Sequence, residues 1–73
     1  MTLAEICAAR DAVYAARVAN REERTRLRLS GASRDEQAAL AVKAAELGRQ
    51  AAALQEAHWA AIDAAYPPAP SIL

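Results

Sequence analysis

Leucine recurs every seven residues in the second half of the chain, at Leu40, Leu47 and Leu54, and Ala61 continues the row. Between these, at steps of three and four, stand Gln37, Ala44, Ala51, His58 and Ala65. A repeat of this period draws one apolar stripe down an α-helix and marks the seam between packed helices. The first half carries a matching ladder, Ile6, Val13, Asn20 and Leu27, with the small residues Ala9 and Ala16 beside it. Alanine on facing surfaces lets helix axes approach more closely than larger side chains do.

Start and stop signals divide the pattern in two. Thr2 with Glu5, and Ser33 with Glu36, have the spacing of capping boxes, in which side chains bond the unpaired amides of a first helical turn. Asp35 adds a negative charge where the helix dipole is positive. Ser30-Gly31-Ala32 breaks the first helix, since glycine accepts the left-handed conformation that closes many helices. Pro67 and Pro68 end the second, because proline lacks an amide proton and disfavours helix in the residue before it. The chain thus predicts as all-α: a helix over about 3–29, a turn at 30–33 and a helix over about 34–65. Residues 67–73 form a proline-rich tail expected to be extended.

So short a turn permits only a reversal, giving an antiparallel two-helix hairpin, coiled-coil-like with an Ala/Leu seam. Folding about the turn sets Leu27 near Gln37, Asn20 near Leu40 and Ala44, Val13 near Leu47 and Ala51, and Ile6 near Leu54 and His58. Asn20 within the ladder has two readings. At the seam's edge it meets water, which is the simpler; inside, it is a buried polar residue that fixes register.

Two stripes cannot accommodate Leu3, Tyr14, Val18, Val42, Trp59, Ile62 and Tyr66 as well, so a second interface is expected. A two-fold dimer closing a four-helix bundle is the simplest solution. The residues expected to serve self-association or partner binding are Leu3, Ile6, Val13, Tyr14, Leu40, Leu47, Leu54, Trp59, Ile62 and Tyr66. Trp59 and Tyr66 have an equal claim to cap the bundle's own core. The tail's Ile72 and Leu73 have an equal claim to dock in a neighbouring groove or to remain unordered.

Composition sharpens this picture. Alanine occupies 22 of 73 positions, so the 55% hydrophobic fraction overstates the area available for burial. Alanine is also the strongest helix former, and no proline falls between Leu3 and Ala65. A chain this short is marginally stable without help. Disulfides do not supply it, because Cys7 is the only cysteine, and a lone thiol suits a reducing compartment. Eight arginines against a single lysine, with so much alanine, suggest a GC-rich bacterial or phage genome.

Net charge is zero, so no overall field draws the chain to nucleic acid or membrane. No run approaches the ~20 apolar residues of a membrane span, and Glu5 stands where a signal peptide needs basic residues. A soluble cytoplasmic protein is expected, virion-associated if it derives from a phage.

No catalytic set emerges. In the hairpin register Cys7 faces His58, but a core cysteine and an interface histidine account for both. Glu22-Glu23 and Asp35-Glu36 are adjacent on helices and point apart. Ser30-Gly31-Ala32-Ser33 is no phosphate loop. Neither cofactor, metal nor small-molecule substrate is expected.

An arginine cluster surrounds the turn. Arg21, Arg24, Arg26, Arg28 and Arg34, with Arg17 nearby, are candidate contacts for an anionic partner, although Glu22, Glu23, Asp35 and Glu36 lie among them. Without an aromatic residue there to stack a base, the simpler reading is a solvated, salt-bridged helix end.

The opening Met1-Thr2, with Glu5 and Ala8-Ala9-Arg10, looks like the start of lambdoid head–tail joining proteins, over barely a dozen residues of generic helix, and no family is assigned on it. The expected function is a non-catalytic, self-associating protein–protein interaction module in a larger complex, with a phage-like structural assembly as one setting. The alternative is a small helical regulator that binds nucleic acid through its arginine-rich end.

Overall fold

The computed structural model describes residues 1–66, so the proline-rich tail lies outside it. Two helices, α1 (Leu3–Leu29) and α2 (Arg34–Ala65), run antiparallel and pack against each other. They contain 27 and 32 residues, with ends that match the sequence signals to within a residue.

Local chemistry explains each end. At the start of α1 the Glu5 amide donates to Thr2 Oγ1 at 3.1 Å, and the Thr2 amide donates to Glu5 Oε1 at 3.1 Å. This complete capping box holds the Glu5 carboxyl below its ordinary pKa, chiefly through the backbone bond from Thr2. A lowered carboxyl pKa stabilises the fold above the unfolded value and stops doing so as pH falls through the folded one. Acidification is therefore expected to loosen the first turn of α1. Amide exchange there, corrected for intrinsic rates, should speed up relative to the rest of the helix, and Glu5→Gln should lack that response.

The turn is a Schellman closure. Gly31 takes φ +75°, its amide donates to Arg28 O at 3.3 Å, and the Ala32 amide donates to Leu27 O at 3.0 Å. Ser33 then caps α2 by accepting the Glu36 amide at 3.3 Å. Of the expected second capping box only this half forms; the Glu36 carboxylate makes no return bond among the described residues. At the far end the Tyr66 amide donates to Ile62 O at 2.8 Å.

The seam follows the heptads. Ile6, at 3% exposure, and Leu47, at 4%, are its fully buried apolar residues. Val13, Leu27, Leu40, Leu54 and Ala61 are half-buried along the same line, as are the flanking Ala9, Ala16, Ala44 and Ala51. Asn20 does not meet water at the seam's edge. It is 8% exposed, and its Nδ2 donates across the seam to Leu40 O at 3.1 Å. That bond fixes Asn20 opposite Leu40, the register the two ladders predict.

Candidate functional site

Several of the expected interface residues are used within the hairpin itself. Ile6, Val13, Leu40, Leu47 and Leu54 build the seam, and Ile62 is half-buried beside it. The exposed ones are Leu3, Tyr14 at 70%, Trp59 at 55% and Tyr66. Trp59 and Tyr66 therefore do not cap the hairpin's own core. The Trp59 ring instead stands edge-on to His58, with centroids 5.8 Å apart.

Cys7 is exposed rather than a core residue, because one step past Ile6 turns the side chain about 100° from the seam. His58 is half-buried, and its Nδ1 has no hydrogen-bond partner among the described residues. No group of metal-ligating residues occurs among them either.

The distinctive surface is a groove along one side of the seam. It starts beside Arg10, Val13, Tyr14 and Arg17 of α1, facing Ala51 and Gln55 of α2. It continues past Arg17, Asn20, Arg21 and Arg24, facing Ala44. Towards the turn, Arg21, Arg24 and Arg28 face Arg34, Ala38 and Ala41. Shared arginines join the three stretches into one channel, whose α2 wall consists largely of alanine. No carboxylate lines any of the three. Beyond the far end, Asp11 lies beside Cys7, Arg10 and Tyr14.

Helix periodicity assigns the rest of this face. Trp59 follows Gln55 by four residues, with Ile62 three further on; on α1, Leu3, Cys7, Arg10 and Tyr14 are spaced by four, three and four. One side of the hairpin thus has an apolar half at the open end and a basic half toward the turn.

The arginine row differs from the sequence cluster. Arg26 lies elsewhere, hydrogen-bonded and ion-paired to Glu23, which raises its pKa through that bond and the adjacent charge. The second ion pair among the described residues joins Lys43 to Glu46 at 3.9 Å. Arg10, Arg17, Arg21, Arg24, Arg28 and Arg34 have no carboxylate partner among these residues. Arg10 was missed from sequence, although Arg10, Arg17, Arg21, Arg24 and Arg28 keep to steps of seven, four, three and four.

No helix among the described residues is long and apolar enough to cross a membrane. Thr2 and Glu5, which carry much of the likeness to head–tail joining proteins, are accounted for by their capping box. No protein-family model matches the chain, and no curated protein or solved structure matches it at a significant level.

Proposed function

We propose that this chain is a non-catalytic assembly module, a helical hairpin completed by packing the apolar half of its grooved face against a second copy. The observation that carries this reading is the thinness of the hairpin's core. Among the described residues only Ile6 and Leu47 are fully buried apolar side chains, contributing about 3–6 kcal/mol between them. That is little with which to order helices of 27 and 32 residues, and Tyr14 and Trp59 stay exposed on one face. Aromatic residues in such positions are the usual anchors of protein interfaces.

Charge restricts the geometry. Full parallel overlap of two grooved faces would set arginine row against arginine row, and full antiparallel overlap would set each arginine row against the partner's apolar half. A two-fold contact centred on the apolar half lets the aromatic ends overlap while the arginine halves point apart. The dimer would then be one component of a larger complex.

Thermal unfolding at about 1 and about 100 µM, paired with sedimentation equilibrium, tests this. The midpoint should rise by about 10 °C over that range, as mass action requires for a dimer of this size. The double variant Tyr14→Ala, Trp59→Ala should melt lower and lose the concentration dependence. A monomeric mass with a cooperative, concentration-independent transition would refute self-association.

A further inference from the structure

We infer that the arginine half of the groove is a binding surface for the phosphate backbone of duplex nucleic acid, recognised without regard to sequence. Arg17, Arg21, Arg24 and Arg28 recur at four, three and four residues, so one side of α1 presents a guanidinium at nearly every turn. Arg34 adds another from α2 across the groove. With Arg10 the row spans about 27 Å of helix, the axial length of about eight base pairs.

Two features favour a phosphate backbone. These arginines lack carboxylate partners among the described residues, so binding an anion breaks no internal ion pair. The opposing wall is low, formed by Ala38, Ala41 and Ala44 with Gln37, whose side-chain amide donates to Ala32 O at 2.9 Å, so a bulky polyanion can approach the forks closely. An acidic protein partner would be expected to find an aromatic anchor here, whereas no aromatic residue lines the stretch holding Arg21, Arg24, Arg28 and Arg34, and Tyr14 meets only the Arg10–Arg17 end of the row. The same lack of aromatic rings disfavours single strands, which are held by stacking. Zero net charge is no objection, because these arginines gather on one side, and Glu22, Glu23, Asp35 and Glu36, although close in sequence, do not line the groove. A monomer carries the whole row, so this surface does not depend on self-association.

Fluorescence anisotropy with the full chain and a random-sequence duplex of about 20 bp tests the inference. If four arginines each neutralise a phosphate, log K should fall against log salt with a slope of about −3.6, an affinity loss of about 150-fold between 50 and 200 mM. The triple variant Arg21→Ala, Arg24→Ala, Arg28→Ala should bind about 100-fold more weakly at 50 mM salt and lose about three from that slope. Alanine suits a helix, so the triple variant should keep its circular dichroism; the Gln triple is a second version that retains side-chain bulk. Arg26→Ala and Arg49→Ala, which lie off the groove, should leave binding unchanged. Absence of binding at 50 mM salt would overturn the inference. So would equal weakening by the off-groove variants, or tighter binding to polyglutamate of matched charge than to the duplex.

Discussion

Leu47→Ala is expected to unfold the hairpin at micromolar concentration and 25 °C, seen as loss of the helical circular dichroism signal. Leu47 is one of two fully buried apolar side chains, and truncating such a leucine costs about 2–5 kcal/mol through lost transfer energy and the cavity left behind. A core in a chain this short rarely supplies more than about 3–5 kcal/mol in total, so the loss is comparable to the whole stability. The control is Val42→Ala on the same helix. Val42 is 67% exposed, and its replacement should shift stability by no more than about 0.5 kcal/mol. If the two variants melt alike, the packing does not depend on Leu47 and the heptad seam is not what joins the helices.

The features legible in the sequence are those decided by local chemistry or strict period. Thr2, Ser33 and Gly31 act within a turn of their own positions, so both helix starts and the reversal could be placed without knowing what packs where. The ladders Ile6–Val13–Asn20–Leu27 and Leu40–Leu47–Leu54 repeat every seven residues, and that period alone selects the seam. What was misread depends on azimuth around the helix. Arg24 and Arg26 are neighbours in sequence, but two residues turn a helix through about 200°, so one lines the groove while the other pairs with Glu23. Grouping the arginines by nearness to the turn takes in Arg26 and leaves out Arg10, which lies farther along α1. Azimuth likewise misplaces Cys7, one residue beyond Ile6. Asn20 is a different case: its heptad position was plain, but whether it met water or the opposite backbone depended on how closely the alanine-lined helices approach. That distance is a property of the packed pair rather than of either helix.

The closeness of that approach makes Asn20→Asp the most discriminating substitution in the seam. The amide of Asn20 donates to Leu40 O at 3.1 Å from a site 8% exposed. An ionised aspartate would set carboxylate oxygen against carbonyl oxygen there, a buried charge with no compensating partner, at a cost of about 3–5 kcal/mol. Protonated, the same carboxyl can donate to Leu40 O and restore much of the bond. Its folded pKa should therefore stand above the unfolded value of about 3.9. For a raised pKa, the stabilising contribution is complete below the unfolded value and is lost as pH rises through the folded one. Relative to the parent chain, Asn20→Asp should thus be nearly as stable at about pH 3.5 and increasingly unstable toward neutrality. This is opposite in sign to the Glu5 effect, so differences between parallel melts separate the two. Asn20→Leu should show no such pH dependence, since it carries no titrating group. A constant difference between Asn20→Asp and the parent from acid to neutral pH would mean that residue 20 can turn to solvent. The cross-seam bond would then not be what sets the pairing of α1 with α2.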